Sequence, residues 1–487
     1  MGHGIYASTI RLPRRGVIAN FGAAGQRHAR RSDRARGLGG NIYKLSIKLL
    51  MTAAVISSSL LTVRSFAASQ IRIVRLSEVH GDVQIDRNTR QGYEKAFLNL
   101  PITQGVKIQT KRDGRAEVEF EDGSTLRITS DAVIEFPQLS LRDSGSKVST
   151  TSVLQGTAYV DFSGARNDEF TLTFGHEKLT LRHPSHLRVE MGDPDATVAV
   201  FKGDIQVEGP SGTVEVAKNR TVTFDLTDKD RYTLAKDVEP DPYDLWDKQE
   251  DQYHQRYMSA GAYSSYSPYA YGTSDLNYYG SFFTAPGYGM MWQPYFIGAG
   301  WDPFMNGAWA FNPGYGYGWV SGYPWGWTPY HYGSWVFLPS RGWAWQPGGS
   351  WAGWNTPRVL NAPAHFLIPQ PPANSGQRIL SVNRGPIPTP LGRSFNKLEI
   401  PNNSAGLGIP RGSIKSLGRL SQSVQQEGFA TTKLHRAQIG GSNWWRGGGY
   451  ANPTSRAGAW HSGGAHSGSE AASMGHSGGG HSGGGHR

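Results

Sequence analysis

Cysteine is missing from this chain of 487 residues. Its absence excludes disulfides, zinc–thiolate sites, iron–sulfur clusters and thiol catalysis. The P-loop motif and the His-Glu-x-x-His zinc motif are missing as well. We therefore expect a protein that is not an enzyme and that carries no cofactor.

The chain also lacks an apolar run of the roughly 20 residues that a membrane-spanning helix needs. The best candidate, 49–63, is 15 residues long, follows the basic Lys44 and Lys48, and contains three serines. Small residues then precede a cleavage position between Ala67 and Ala68. This layout predicts a secretory signal and an exported protein that is periplasmic, in the outer envelope or secreted. An uncleaved signal that anchors the chain in the membrane is the alternative.

A net charge of +11 would suggest nucleic-acid binding, but most of that charge lies before the predicted cleavage position. Residues 1–67 hold eleven Lys and Arg and one acidic residue. The n-region before the apolar run is long for a signal, which indicates either a start codon placed too early or a signal with an unusually long n-region. The remaining chain is close to neutral, with 34 acidic and 25 basic residues in 68–357 and 13 basic and three acidic residues in 358–487. We therefore expect no nucleic-acid partner. The basic tail could lie on the acidic body, lie on an anionic envelope surface, or be solvated.

Residues 70–236 show the alternation of short strands, as in 116–120 and 157–162, with turn residues every 8–12 positions. This pattern predicts a mainly β fold, an antiparallel β-sandwich or a stacked β-roll. Glu117 and Glu119 fall on one face of a predicted strand, and we expect that face to be exposed and polar. Asp241-Pro242 then begins a short helix over 240–258 that closes the β domain.

Residues 259–357 are rich in Trp, Tyr, Gly and Pro, and they contain the pattern Trp-x-(Phe/Trp)-x-Pro four times. Aromatic residues two apart share one face of a strand, and the proline ends it, so we expect very short strands in a compact aromatic module. The rings could pack on one another or stack on a ligand such as a sugar. The possible ligand-stacking residues are Trp309, Trp325, Trp327, Trp335, Trp343 and Trp345. We expect His331 to be a ring-packing partner.

Residues 358–487 are basic and rich in Pro, Gly and His, a composition that predicts a disordered tail without a packed core. Five histidines near its end keep a five-residue register and are weak candidates for metal binding; solvated low complexity is the other interpretation. They are His461, His466, His476, His481 and His486. His183 and His186 are the closest approach to a metal pair elsewhere, and we expect them to be structural.

Three segments together resemble the core motif of the FecR-type domain: 105–110, 113–120 and 122–128. The segment 243–350 resembles a Trp/Tyr/Gly/Pro-rich module of unknown function that accompanies FecR-type domains in bacterial envelope proteins. The resemblance implies an extracytoplasmic β domain that binds proteins. FecR-like regulators also carry a helical, Trp-containing anti-sigma segment before their membrane span, and residues 1–43 contain no Trp.

The sequence thus favours an exported FecR-type envelope protein that binds or organises an unknown protein or glycan. A membrane-anchored sensor in sigma-factor-type signalling is the alternative. A carbohydrate-binding protein that uses the Trp-rich module is the weaker alternative.

Overall fold

The structure is a computed structural model. It describes residues 72–433, apart from 165–166, 229–230, 259–269, 314–315, 352–357, 374–375, 377–378 and 384–396. The chain separates into two compact units, Met1–Ala68 and Ser69–Arg487, and every described residue belongs to the second. The predicted signal, its cleavage position between Ala67 and Ala68, and the five-histidine register lie outside the described residues.

Seventeen strands form the β domain that the alternation predicts. They are β1 (Val74–His80), β2 (Val83–Asp86), β3 (Glu94–Lys95), β4 (Pro101–Ile102), β5 (Lys107–Thr110), β6 (Arg115–Glu119), β7 (Thr125–Ile128), β8 (Val133–Leu141), β9 (Lys147–Phe162), β10 (Glu169–Phe174), β11 (Glu177–Leu181), β12 (Ser185–Met191), β13 (Asp195–Lys202), β14 (Ile205–Gly209), β15 (Gly212–Val216), β16 (Thr221–Asp225) and β17 (Arg231–Ala235).

The strands form two sheets that share the long strand β9. Sheet 1 has the order β3-β2-β5-β8-β9-β10-β11-β14-β15. Sheet 2 has the order β4-β1-β6-β7-β9-β12-β13-β16-β17. Strand β9 passes between the sheets at Gly156, where φ is 79° and a Cβ would lie 2.7 Å from Ala132. Only glycine suits that position, and apart from the parallel β9–β10 pair the described pairings of these strands are antiparallel.

Apolar residues of alternate positions fill the space between the two sheets. Val118, Leu126, Val160 and Val189 of sheet 2 are all fully buried there. The same alternation sends every second residue of sheet 2 to its outer face, away from this core. The β-sandwich, one of the two predicted architectures, is thus confirmed. Parts of the chain beyond residue 240 pack on the outer face of sheet 2, while Ala308, Ala310 and Val320 join the core of the sandwich.

Helix α1 (Asp244–Met258) follows the last strand and lies within the predicted helix over 240–258. It contacts the outer face of sheet 2 through Asp244, Asp247 and His254. None of the helices in the described part of the chain has the length and hydropathy of a membrane span.

The aromatic module is folded as predicted. Its elements are α2 (Thr273–Tyr279), β18 (Gly280–Ala285), β19 (Gly289–Pro294), β20 (Asn306–Asn312), β21 (Gly316–Ser321), α3 (Thr328–His331), β22 (Tyr332–Leu338), β23 (Gly342–Trp351), β24 (Arg358–Leu360) and β25 (Leu380–Asn383). The strands form one sheet of order β18-β19-β23-β22-β24 and another of order β21-β20-β25. A core built mainly of Trp, Tyr and Phe rings lies between these elements.

Three copies of the aromatic repeat lie on β20, β22 and β23, as expected. The strand prediction is wrong for the second copy, which begins at Trp325. There Trp327 has helical backbone angles, and Pro329 occupies the first turn of α3. Proline suits that position because its fixed φ matches the helix and its missing N–H has no helical partner.

The prediction that 358–487 contains no packed structure is wrong for β24 and β25, which pair with strands of the module, and for 397–433. This segment forms β26 (Lys397–Pro401), α4 (Leu417–Glu427) and β27 (Phe429–Lys433). Several of its apolar side chains, among them Ile400 and Val424, are fully buried against the aromatic core. They cannot form a core alone, and composition alone therefore suggested disorder; they complete a core that the preceding module supplies.

Candidate functional site

On β1, β6 and β7 the outer face of sheet 2 carries alternating charged side chains that are buried. Arg75, Glu117, Glu119 and Arg127 each have at most 1% of the side chain exposed. The expectation that Glu117 and Glu119 lie on an exposed face is therefore wrong. Helix α1, the aromatic module and the segment 397–433 cover this face and bring charged partners to it. The charged junction comprises these four residues with Asp247, His254, Asp275 and Arg411.

Glu117 lies at the centre of the charged junction. Arg127 of the neighbouring strand donates to it through Nε at 3.0 Å, and Ser77 donates through its hydroxyl at 2.7 Å. Nε2 of His254 donates at 3.0 Å from α1, and Nη1 of Arg411 donates at 2.7 Å from a position 294 residues further along the chain. Burial by itself would raise the pKa of Glu117, but His254 and the two guanidinium groups hold it well below the usual range.

Asp275 of α2 is the second carboxylate on which the segments converge. Arg411 forms a bidentate pair with it, with Nε to Oδ1 at 3.0 Å and Nη2 to Oδ2 at 2.9 Å. Arg75 of sheet 2 contacts Oδ2 at 2.6 Å, and the hydroxyl of Tyr253 donates to Oδ1 at 2.8 Å. Burial opposes ionisation here as well, but the two guanidinium groups lower the pKa of Asp275. Arg411 therefore joins the sandwich, the module and its own segment at one point.

A second set of hydrogen bonds ties the sandwich to the backbone of the module. Nη2 of Arg75 donates to the carbonyl of Pro324 at 2.8 Å, and Nε donates to the Asn99 side chain at 2.9 Å. The amide nitrogen of Asn99 donates in turn to the carbonyls of Ser321 and Tyr323 at 3.0 and 2.8 Å. Backbone carbonyls buried without a partner are costly, so these contacts satisfy the loop before α3.

Helix α1 is fixed at its other end by further ion pairs. Asp247 accepts from Nη1 of Arg127 at 2.6 Å and lies 2.8 Å from Nε2 of His186. Burial lowers the pKa of His186, but Asp247 more than offsets this, and the net shift is upward. Asp244 accepts from Nη1 of Arg188 at 2.7 Å. The expected structural role of His186 agrees with this position.

The charges of the junction balance closely. Glu250 borders the junction, 3.8 Å from Arg411. Burial, Glu78 and Glu117 raise the pKa of Glu250 to about 8, so this carboxyl is mostly neutral at pH 7. Burial lowers the pKa of His254, but Glu117 outweighs that effect and the pKa rises. The junction can thus hold chain segments together with little net charge. His254 and Arg411 each have only 7% of the side chain exposed, which leaves little access for a substrate.

The six Trp residues considered as ligand-stacking groups all lie in the core. Their exposed fractions do not exceed 3%: Trp309 2%, Trp325 0%, Trp327 0%, Trp335 0%, Trp343 3% and Trp345 0%. The Trp325 ring stacks on Tyr323 with centroids 4.9 Å apart, and its indole nitrogen donates to the carbonyl of Ala405 at 2.7 Å. No face of these rings is open to a sugar in this conformation.

His331 packs edge-on against the Trp327 ring, with centroids 4.4 Å apart, as expected for a ring-packing partner. Burial and the charge of Arg75 lower its pKa to about 3, so it is neutral at physiological pH. Within the described residues no group of three or more His, Asp and Glu side chains could hold a metal ion.

Comparisons with known proteins identify both modules. A family described as FecR protein matches residues 106–206, and a family of unknown function, DUF6600, matches residues 273–363. The chain therefore contains a FecR domain followed by a DUF6600 domain, as the resemblance in the sequence predicts. No curated protein matches the chain.

Two solved structures of a candidate anti-sigma factor from Parabacteroides distasonis are similar to part of the chain, each at 14% sequence identity. Their TM-scores are 0.24 and 0.25, and the similarity covers 27% and 29% of this chain. The chain spans about three fifths of those structures, 59% and 63% of their lengths.

Sequence reasoning missed the residues that join the modules. Arg411 lies beyond both family matches, in a segment whose composition predicted disorder. A signal was nevertheless present, because Arg75, Glu117, Glu119 and Arg127 place four charges on one face of three neighbouring strands. A face so densely charged, with both signs present, is suited to pairing with a covering layer.

Proposed function

We propose that this chain is an exported, non-catalytic binding scaffold of the bacterial cell envelope. In this proposal the FecR domain, the DUF6600 domain and the segment 397–433 act as one rigid body. The observation that carries it is the position of Glu117, which accepts hydrogen bonds from β7, α1 and Arg411 at once. Moving any one of these segments would break a buried charged contact.

The energetic argument for rigidity rests on the cost of separating buried charges. Removing one partner from a buried ion pair costs about 3–5 kcal/mol, because the remaining charge is left without compensation. Arg411 alone contacts two carboxylates of two modules. Hinge motion between the modules would expose several such charges together with aromatic rings, so a fixed shape is favoured over a closing cleft.

A role without catalysis is supported by the burial of the junction. The carboxylates of Glu117 and Asp275 and the imidazole of His254 make their hydrogen bonds within the protein. A general base must reach its substrate within hydrogen-bond distance. Burial of the six Trp rings likewise favours a protein partner over a glycan that stacks on them.

A membrane-anchored sensor is the second candidate, and the FecR match is the observation that favours it. The two functions differ in the N-terminus. The scaffold requires removal of the segment that ends at Ala67, whereas the sensor keeps an anchor and a cytoplasmic output.

The test is chemical cross-linking in intact cells, followed by purification of the chain from the native envelope and N-terminal sequencing of the same material. We expect Ala68 as the first residue and one or more envelope proteins cross-linked to the chain. Recovery of an intact N-terminus in the membrane fraction would favour the sensor. A chain that starts at Ala68 and cross-links to no other protein would contradict the scaffold.

A further inference from the structure

A pocket of about 320 Å³ lies between the first two turns of α4 and the end of β27. That volume is at the lower end of the range of small-molecule sites, about 300–1,000 Å³. Its lining combines three cations, three hydroxyl side chains and two apolar side chains. These are Lys415, Arg419 and Lys433, then Ser416, Ser423 and Thr432, then Ile414 and Leu420.

The three cations of the pocket form no ion pair within 4.0 Å with the described residues. The ion pairs of the segment 397–433 all involve Arg411, which points into the charged junction. Glu399 and Glu427 are the acidic residues of that segment, and neither lines the pocket. Two lysines and an arginine therefore meet at one concave surface whose described lining contains no carboxylate.

A second observation concerns the strand that forms one wall. Lys433 of β27 lies directly opposite Lys397 of β26 in the antiparallel register, and both side chains are exposed. Like charges directly opposite each other destabilise a strand pair. Here this unfavourable pair stands beside two more cations. An anion bound in the pocket would turn the repulsion into attraction, which is a physical reason for such a pair to persist.

The start of α4 adds donors to the same place. Ser416 is the N-cap residue, and its side chain makes no capping hydrogen bond. Ser416 thus places a hydroxyl at the edge of the pocket, at the end of the helix where the dipole favours negative charge.

We propose that this pocket binds a phosphate group. An arginine presents a planar fork that matches two phosphate oxygens, and lysine, serine and threonine supply the remaining donors. The group could be carried by a phospholipid headgroup or by a soluble phosphate compound, since both present the same oxygens. This inference goes beyond the proposed scaffold, because it depends on residues outside both family matches and outside the charged junction.

The test compares the full chain with two triple variants of equal net charge. The site variant carries Lys415→Gln, Arg419→Gln and Lys433→Gln. The control variant carries Lys178→Gln, Lys218→Gln and Lys236→Gln, three exposed lysines of the FecR domain and its surroundings. Binding of inorganic pyrophosphate is measured by titration calorimetry, and binding to phosphatidylglycerol vesicles is measured by co-sedimentation. Thermal unfolding of all three proteins verifies folding.

We expect the site variant to bind at least about tenfold more weakly than the wild type. The control variant should keep wild-type affinity, because it loses the same charge but retains the three cations of the pocket. If the site variant loses affinity for both pyrophosphate and vesicles, the pocket recognises phosphate in both forms. A loss of affinity for pyrophosphate alone identifies a soluble phosphate compound, and a loss for vesicles alone identifies a phospholipid headgroup. Equal affinity of the site variant and the control variant in both arms would overturn the proposal, as would failure of the wild type to bind either probe. The site variant should unfold at the wild-type temperature or slightly above it, since the Lys397–Lys433 repulsion is gone.

Discussion

Glu117 is the residue on which the junction depends most, because it compensates two guanidinium groups and an imidazole at once. Its side chain is fully buried, so no water can replace it. Each of its partners comes from a different part of the chain.

We predict that Glu117→Gln lowers the free energy of unfolding by about 3–5 kcal/mol, because Arg127, Arg411 and His254 lose the charge that compensates them. Glutamine keeps the volume, so the loss reports the charge. The measurement is urea denaturation followed by Trp fluorescence. Glu208→Gln, on an exposed strand position, is the control and should change stability by no more than about 0.5 kcal/mol. A Glu117→Gln protein as stable as this control would show that the junction contributes nothing.

The Trp rings allow a similar test of packing against ligand binding. Trp325 is fully buried and contacts Tyr323, Trp292 and Trp335. We predict that Trp325→Ala lowers the free energy of unfolding by about 3–5 kcal/mol through loss of buried surface and formation of a cavity. The measurement is again urea denaturation, with Tyr93→Ala as the control because that ring is 41% exposed. Unchanged stability in Trp325→Ala would contradict the packing interpretation.

At the residue scale the sequence predicted the core-facing positions but not the fate of the positions between them. Ala116 and Val118 alternate with Glu117 and Glu119. The side chains of Ala116 and Val118 point into the sandwich, as expected. The carboxylates looked like a solvated face because charged side chains are rarely buried unless paired. Their partners lie at distant positions such as 254 and 411, which no local pattern connects to them.

At the scale of elements, the segment 397–433 is the part of the fold that composition conceals. Its strands β26 and β27 pair with each other, and Leu398 and Ile400 enter the aromatic core. The segment also places the carbonyl of Ala405 against Trp325 and Arg411 against Asp275. It therefore closes the module rather than trailing from it.

We predict that a chain ending at residue 396 is less stable than a chain ending at residue 433 by at least about 3 kcal/mol. The shorter chain leaves Glu117 and Asp275 without Arg411 and uncovers aromatic rings. Thermal unfolding of the two truncated proteins, compared with the intact chain, measures the difference. The chain ending at 433 should unfold at nearly the same temperature as the intact chain. Equal unfolding temperatures of the two truncated proteins would mean that the segment is not part of the core.

The alternation predicted the strands of the sandwich well, because each strand buries one face in a single core. The second copy of the aromatic repeat was less tractable, since Trp325 and Trp327 have the spacing of a strand but precede Pro329 at the start of α3. Spacing alone cannot distinguish a strand from a turn that leads into a helix. The prediction of disorder for 397–433 was wrong for another reason. The segment has few apolar side chains of its own, and they are buried in a core that the aromatic module supplies.

At the scale of the whole molecule, the junction makes stability depend on pH in a definite direction. The pKa of His254 lies above its ordinary 6.5, so its contribution is complete below pH 6.5 and is lost as the pH rises through the folded-state value. The pKa of Glu250 is about 8, so its contribution is complete below about 4.5 and is lost as the pH rises through 8. The lowered pKa values of Glu117 and Asp275 act oppositely, and their contribution is lost in acid.

We predict that the urea concentration at the unfolding midpoint decreases as the pH is raised from about 5.5 to about 9. A second decrease is expected as the pH is lowered below about 4. Denaturation curves across this range measure the effect. His254→Gln is the control and should show a smaller fall on the alkaline side. A midpoint that rises steadily from pH 5.5 to pH 9 would contradict the protonation states assigned to the junction.

The overall organisation into a FecR domain and an aromatic DUF6600 domain was readable from motifs and composition, and the family matches confirm it. The packing of the two modules into one body could not be predicted from the sequence. Each module has its own residue pattern, and the contacts that join them link positions up to 294 residues apart. Two-module patterns in a sequence suggest two independent units. The charged junction instead unites the described parts of both modules.

Differential scanning calorimetry of the intact chain tests this union most directly. If the sandwich, the module and the segment 397–433 form one cooperative body, the chain unfolds in a single transition whose calorimetric and van't Hoff enthalpies agree. Two separate transitions, one unchanged when the chain is cut back to residue 396, would show that the modules unfold independently and would contradict the account.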